Sequence, residues 1–114
     1  MKWFSICIFF LLSLPAYAFA SDGDCASWPG NIAEAWLKNK HIVDIAQLNP
    51  AQTKISLLAS EKKANGVNTD IYHFVFFDRK GKKYEVITRS DSSQEECSMS
   101  EVEVFLISQT DQNN

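Results

Sequence analysis

Residues 70–90, DIYHFVFFDRKGKKYEVITRS, constrain the fold of this chain more than any other stretch. Residues 71–77 are dense in β-branched and aromatic side chains, which favour a strand. The turn DRKGK follows, and Gly81 within it can adopt the positive φ of a hairpin bulge. Residues 84–88 then return as a second strand. We therefore predict a β-hairpin as part of an antiparallel sheet.

Both faces of the first strand of this hairpin are apolar. Its side chains alternate in two sets, with Tyr72, Phe74 and Phe76 on one face and Ile71, Val75 and Phe77 on the other. Such a strand is either covered on both sides, or covered on one side with an apolar patch exposed on the other. The sequence leaves these two alternatives open.

The first 20 residues have the pattern of a secretory signal peptide. Lys2 is a short positive region, and an apolar run of about a dozen residues follows it. This run is shorter than the ~20 apolar residues that a membrane-spanning helix needs. Small residues precede the expected cleavage site, which we place after Ala20 or, as a second choice, after Ala18. An uncleaved anchor is the less favoured alternative.

Removal of residues 1–20 leaves about 94 residues, enough for a single small globular domain over residues 21–114. The net charge changes from −3 to about −4, because the leader carries one lysine and no acidic residue. This mild acidity argues against binding to nucleic acid, which requires a basic face. We expect a periplasmic or secreted protein that is soluble after cleavage, with no stable membrane insertion.

Two cysteines remain after the leader is removed, because Cys7 lies within it. These are Cys25 and Cys97. In an oxidising compartment, two cysteines can form one disulfide and leave no free thiol. We predict this bridge, which ties the start of the domain to the entrance of its last strand. A reactive thiol is the alternative, but there is no C-x-x-C pair, and the acidic neighbours Glu95 and Glu96 disfavour a thiolate.

The segment CASWPGNIAEAWLKNK predicts one helix near the start of the domain. Residues 31–39 are rich in helix formers, with apolar residues at helical spacing. Pro29 suits the first turn of a helix, where its missing N–H costs nothing. We expect Trp28 and Trp36 to be buried against the sheet.

Residues 49–62 fit two interpretations. Asn49 followed by Pro50 resembles the start of a helix. Residues 53–62, however, alternate, with Ile55, Leu57 and Ala59 on one face, and we favour a strand there. A further strand is predicted over residues 101–108, EVEVFLIS.

These elements add up to an α+β domain in which one N-terminal helix packs on an antiparallel sheet of about four strands. The element order resembles the outline of cystatin-like folds. That resemblance concerns architecture alone and implies no function.

Little in the sequence indicates catalysis or metal binding. His41 and His73 share no ligand spacing with each other or with a cysteine. The acidic stretch SDSSQEEC lacks the fixed glycine and the alternating oxygen ligands of a calcium loop. We expect no catalytic residue, no metal and no cofactor, and therefore a protein that is not an enzyme.

The remaining interpretation is a small exported protein-binding module, acting as an inhibitor or immunity factor against an envelope-targeting hydrolase or toxin. Its partner is expected to be another protein of the periplasm or envelope, and the candidate contact residues are Asp91, Glu95, Glu96, Phe77 and Phe105. One alternative is a carrier of a small envelope ligand that uses the aromatic sheet face. Another is a minor subunit of an envelope complex. The sequence leaves the oligomeric state open.

Overall fold

The computed structural model describes residues 20–111, with side chains from Cys25 onward. One α-helix packs on a four-stranded antiparallel sheet of order β1-β2-β3-β4, which confirms the predicted α+β arrangement. The elements are α1 (Ala20–Asn39), β1 (Lys54–Lys62), β2 (Asn68–Phe77), β3 (Lys83–Ser92) and β4 (Glu103–Thr110). Three short 3-10 turns lie at Ile45–Gln47, Pro50–Gln52 and Ala64–Gly66. Apart from Ala20, the predicted signal peptide lies outside the described residues.

The helix α1 begins earlier than the sequence indicated. Pro29 lies in its interior rather than in its first turn, so that expectation was wrong. A proline at this position removes the backbone hydrogen bond to the carbonyl of Cys25. The ring of Pro29 is fully buried, and this packing offsets part of the loss.

The buried side of α1 is lined by small and aliphatic residues. Ala33 and Leu37 are completely buried in the core. Gly30 allows the helix to approach the sheet closely, because a Cβ at this position would lie only 3.0 Å from Cε1 of Phe74. The short residue therefore sets the distance between α1 and β2.

The two tryptophans of the helix have different surroundings. Trp36 is partly buried and packs against the core, as expected. Trp28 is 38% exposed, so the expectation that it is buried was wrong. Only one of the two indoles therefore contributes to the contact between the helix and the sheet.

One face of the sheet forms the hydrophobic core under α1. On β2, Tyr72, Phe74 and Phe76 are nearly fully buried there. Their direct partners on β3 are Thr88, Val86 and Tyr84, which are also buried. The aromatic set of the central strand is thus the core of the domain, and its rings are not open to a ligand.

Residues 49–62, which fitted both a helix start and a strand, contain a short helical turn followed by a strand. Asn49 caps the turn Pro50–Gln52, with its side-chain oxygen accepting from the N–H of Ala51 at 3.3 Å. The turn ends after three residues, and the strand β1 begins at Lys54, which confirms the favoured interpretation.

A β-bulge interrupts the alternation in β1. Leu57 lies opposite Tyr72, but Ala59 lies opposite Ile71, so that Leu58 has no direct partner on β2. Since directly opposed residues share a face, Ala59 lies on the opposite face from Leu57. The expectation that Ala59 shares a face with Leu57 was wrong, because an extra residue reverses the alternation.

Candidate functional site

The side of the sheet that points away from α1 is called the uncovered face below, because neither the helix nor any strand within residues 20–111 packs on it. On the three strands β2, β3 and β4 its members include Ile71, His73, Val75, Phe77, Lys83, Glu85, Ile87, Arg89, Glu103, Phe105 and Ser108. Of the two alternatives left open by the alternating apolar residues of β2, the structure shows a strand covered on one side.

Two exposed apolar side chains lie on β4, and the first of them belongs to this face. Phe105 is 52% exposed and stands directly opposite the half-buried Ile87. Ile107 is 54% exposed and is the extra residue of a second bulge, since Val86 pairs with Leu106 and Glu85 with Ser108. Large apolar side chains grouped at an open surface are typical of protein contact sites.

A histidine–carboxylate pair lies at the centre of the uncovered face. Nε2 of His73 is 3.0 Å from Oε1 of Glu85, and Ser108 donates a hydrogen bond to the other oxygen at 3.2 Å. The hydrogen bond from His73 is the main reason why the pKa of Glu85 is below its ordinary value. Glu85 therefore remains ionised and is held in one orientation.

The edge of the uncovered face near the start of β4 is charged. Arg89 and Glu103 form an ion pair with 3.2 Å between Nη1 and Oε1, and both side chains are more than half exposed. Exposed pairs of this kind contribute little to stability. They are well suited to the rim of a protein contact, where charges set orientation rather than affinity.

The loop over residues 93–102, called the acidic loop below, is fixed by covalent and hydrogen bonds. Cys97 is bonded to Cys25, which confirms the predicted disulfide, with 5.1 Å between their Cα atoms. The hydroxyl oxygen of Ser93 accepts from the N–H groups of Glu95 and Glu96 at 3.3 and 3.1 Å. This turn presents both glutamate side chains to solvent.

Asp91 holds the base of the acidic loop. Its Oδ1 accepts from the hydroxyl of Thr69 at 2.7 Å, and its Oδ2 is 3.7 Å from the ammonium of Lys63. Its backbone carbonyl accepts from the N–H of Met99, and its own N–H donates to the hydroxyl of Ser100. The carboxylate of Asp91 is therefore engaged in contacts within the domain.

The structure does not bring all the candidate contact residues together. Phe105, Glu95 and Glu96 are exposed, and the acidic loop runs directly into β4, on which Phe105 lies. Phe77 is only 6% exposed, and the ammonium of Lys54 lies 5.9 Å from the centre of its ring. Phe77 shares the face of Val75 by register, but because it is buried it adds nothing to the exposed apolar surface that Phe105 provides.

The acidic loop and its borders carry uncompensated negative charge. Of the acidic residues at positions 91–103, Asp91 pairs with Lys63, just after β1, and Glu103 pairs with Arg89 on β3. Among the described side chains, no ion pair is formed by the other three, Glu95, Glu96 and Glu101. Their charge gives this end of the domain a negative potential.

Sequence reasoning missed the pair of His73 and Glu85. The signal was present in the predicted hairpin, whose turn at residues 78–82 makes His73 a partner of Ile87 and Val75 a partner of Glu85. Side chains at diagonal positions on one face of an antiparallel pair are within reach of each other when they are long. The bulge that leaves Ile107 without a direct partner on β3 has no signal in the sequence.

Neither a metal site nor a membrane-spanning helix is found in the part of the chain that the structure describes. Among the side chains of residues 25–111, no three histidine, cysteine or acidic groups lie together in an arrangement that could hold a metal ion. Within residues 20–111, no helix has the length and apolar character needed to cross a membrane.

Comparison with known proteins identifies no relative of this chain. The resemblance to the cystatin-like outline therefore rests on the order of the elements alone. The chain matches no protein-family model, no curated protein and no solved structure.

Proposed function

We propose that this chain is a small exported binding protein that holds another protein against its uncovered face and acidic loop, as an inhibitor or immunity factor against an envelope-targeting hydrolase or toxin. One observation carries the proposal. Phe105 is 52% exposed on a sheet face that neither the helix nor any strand within residues 20–111 covers, and Ile107, which is 54% exposed, follows it on the same edge strand. Aromatic and aliphatic anchors of this kind supply most of the energy of protein contacts.

The charge of the acidic loop indicates the chemistry of the partner. Glu95, Glu96 and Glu101 are exposed and lack cationic partners among the described side chains. A partner with a basic patch beside an apolar one complements both parts of this surface. Such complementarity raises the rate of association and selects the partner.

The fixed conformation of the acidic loop favours an inhibitory role. The disulfide and the hydrogen bonds around Ser93 hold the loop before any partner arrives. A loop that is already ordered loses less conformational entropy on binding, which increases affinity. Inhibitors that must occupy the site of an enzyme benefit from this rigidity.

Export is supported by two features. The leader over residues 1–20 has the pattern of a signal peptide. The Cys25–Cys97 disulfide fits an oxidising compartment such as the periplasm or the exterior of the cell. Both features support a partner that is itself located in the envelope or outside the cell.

The test compares capture of partners by matched variants. The oxidised protein and its Phe105→Ser variant are immobilised, and envelope extract and secreted proteins are passed over both. Leu58→Ser is the control, because Leu58 is 55% exposed at a bulge of the opposite edge strand. We expect a stoichiometric partner that the wild type and the control retain and that Phe105→Ser binds at least tenfold more weakly.

The charge of the contact is tested on the same partner. Replacing Glu95 and Glu96 by lysine should slow association and reduce its dependence on salt. Equal binding by Phe105→Ser and the wild type would reject the uncovered face as the contact surface. If the folded, immobilised protein retains no partner, the proposal that it is a binding protein is rejected. If it retains several different proteins in a fixed ratio, it is instead a subunit of an envelope complex.

A further inference from the structure

The outer edge of β4 has no partner strand. β4 is the last strand in the sheet order, and no strand within residues 20–111 pairs with its outer side. Edge strands are usually protected by lysine, proline or a bulge, because their free N–H and C=O groups can pair with another chain. The sequence of β4, EVFLISQT, has no lysine or proline, and its bulge at Ile107 lies beyond residues 103–106. The first half of β4 is therefore an unprotected edge.

The hydrogen bonds of the central hairpin show which backbone groups are directed at β4. At the turn, the N–H of Asp78 donates to the carbonyl of Lys82 at 3.0 Å, and in an antiparallel ladder every second opposed pair is hydrogen-bonded. Counted from this pair, Val86 bonds to β2, so the next residue, Ile87, directs its N–H and C=O groups to β4.

The same alternation identifies the free backbone groups of β4. Phe105 opposes Ile87, so its N–H and C=O groups are used within the sheet. Its neighbours Val104 and Leu106 direct theirs outward, because successive residues of a strand bond to opposite sides. The open edge thus presents two donors and two acceptors on these two residues.

We propose that this edge pairs with the same edge of a second copy of the chain, in antiparallel orientation about a two-fold axis at Phe105. Val104 of each copy then opposes Leu106 of the other, and each of these two pairs forms two hydrogen bonds. The two Phe105 side chains lie opposite each other on the uncovered face, and such aromatic cross-strand pairs stabilise a sheet. The dimer has one continuous sheet of eight strands, with both helices on the same side.

The charge pattern of β4 favours a second copy as the occupant of the edge. Glu101 precedes the strand and Glu103 begins it, whereas residues 107–110 at its other end are uncharged. Antiparallel pairing places the acidic end of each copy beside the uncharged end of the other. Asp111 is then level with residues 98–100 of the other copy, which are also uncharged. Parallel pairing in register would instead oppose Glu103 to Glu103, and directly opposed like charges destabilise a sheet.

The other edge strand is not self-complementary in this way. Antiparallel pairing of two β1 strands along their length brings Lys54 of one beside Lys62 of the other. The bulge at Leu58 lies in the middle of β1 and would interrupt the pairing. Association through β4 therefore closes as a dimer. The inference does not rest on the proposed function, because the uncovered face remains open and no partner protein takes part.

Sedimentation equilibrium of the oxidised protein alone tests the dimer. In the proposed pairing Ile107 of one copy lies beside Glu103 of the other, and its exposed side chain can be replaced without loss of core packing. We expect the wild type to form a dimer at micromolar concentration, and Ile107→Lys to dimerise about tenfold more tightly than Ile107→Glu. The matched pair Leu58→Lys and Leu58→Glu makes the same change of net charge on β1 and should show no such difference.

Hydrogen exchange measured by NMR tests the hydrogen bonds without any substitution. The amides of Val104 and Leu106 should exchange more slowly as the protein concentration rises, because they become bonded between the copies. The control is the amide of Ile55, which points outward from β1 by the same alternation because Ile55 opposes Phe74. Its exchange rate should not change with concentration.

Four outcomes would overturn the inference. A protein that remains monomeric at millimolar concentration would reject the dimer, and this result would leave the capture of a partner protein as a separate question. Equal dimerisation of Ile107→Lys and Ile107→Glu would reject the antiparallel register. Protection of Ile55 in place of Val104 and Leu106 would place the contact on β1. Growth beyond the dimer would show that β4 of one copy pairs with β1 of the next.

Discussion

The hydroxyl of Ser92 donates a hydrogen bond to Oδ2 of Asp70 across 2.6 Å, and both side chains are buried. The other carboxylate oxygen of Asp70 accepts from the hydroxyl of Ser60 at 2.7 Å. Since these residues lie on β3, β2 and β1, the carboxylate connects three strands. A buried acidic group is thereby provided with partners on both oxygens.

This relationship makes Ser92→Ala a destabilising substitution. It leaves one oxygen of the buried carboxylate without its donor, and the expected cost is about 1–2 kcal/mol of unfolding free energy. Ser60→Ala should cost less, because Ser60 is exposed and water can replace its hydroxyl. Urea unfolding measures both, with Ser56→Ala on the same edge strand as a control. A Ser92→Ala variant as stable as that control would contradict the assigned role.

Thr88 offers the opposite case, in which removing a polar atom stabilises the domain. The side chain is completely buried under α1, and its hydroxyl has no hydrogen-bond partner among the described residues. Thr88→Val replaces the hydroxyl with a methyl group of similar shape, and we expect a gain of about 1 kcal/mol. Thermal or urea unfolding measures this gain in unfolding free energy. Thr88→Ser, which keeps the hydroxyl and loses the methyl group, should be less stable than the wild type, and a loss in Thr88→Val would indicate a partner for the hydroxyl.

The disulfide should account for a large part of the stability of a domain of this size. Cys25 and Cys97 are separated by 72 residues, and the chain-entropy model gives about 4 kcal/mol for a loop of that length. The double variant Cys25→Ala, Cys97→Ala should therefore unfold at much lower urea concentration. A loss below about 1 kcal/mol would show that the bridge does not constrain the unfolded chain as this model assumes.

Asp78 should make the hairpin between β2 and β3 sensitive to acid. Burial raises its pKa, but hydrogen bonds from the N–H groups of Lys82 and Lys80, at 2.9 Å each, and from the hydroxyl of Tyr84 outweigh this effect, so the net pKa is lowered. A carboxyl group with a lowered pKa in the folded state contributes stability that is complete above its ordinary pKa of about 4. That contribution is lost as the pH falls through the lowered folded value.

The variant Asp78→Asn isolates this effect, because the amide keeps one oxygen acceptor without the charge. We expect it to be less stable than the wild type at neutral pH, and the difference in unfolding free energy should shrink as the pH falls below about 4. Urea unfolding at several pH values gives both curves. A difference that is constant with pH would mean that the ionisation of Asp78 is not linked to folding.

Local patterns were sufficient for much of the fold. The dense β-branched and aromatic residues of β2 and the turn around Gly81 predicted the central hairpin, since strand preference and turn geometry act over a few neighbouring residues. The pairing of Cys25 with Cys97 followed from their being the two cysteines outside the predicted leader. Part of the candidate surface could also be predicted, because the acidic loop and Phe105 are adjacent in sequence.

Other features depended on contacts between distant segments. The sequence could not show that α1 continues through Pro29, because the burial of that ring against the core offsets the lost hydrogen bond. The bulge at Leu58 reverses the alternation of β1, and it is set by register with β2 rather than by the residues of β1 themselves. The burial of Phe77 likewise depends on which segments pack against it.

The sequence by itself determined the class of the fold, the central hairpin and the disulfide, because each is specified by residue type at short range or by elimination. Only the tertiary structure decided which face of the sheet is covered. Both faces of β2 are apolar, and α1 can pack against just one of them. The choice depends on the fit of Gly30, Ala33 and Leu37 against Phe74 and its neighbours, and such close packing between distant residues is not encoded in any local pattern.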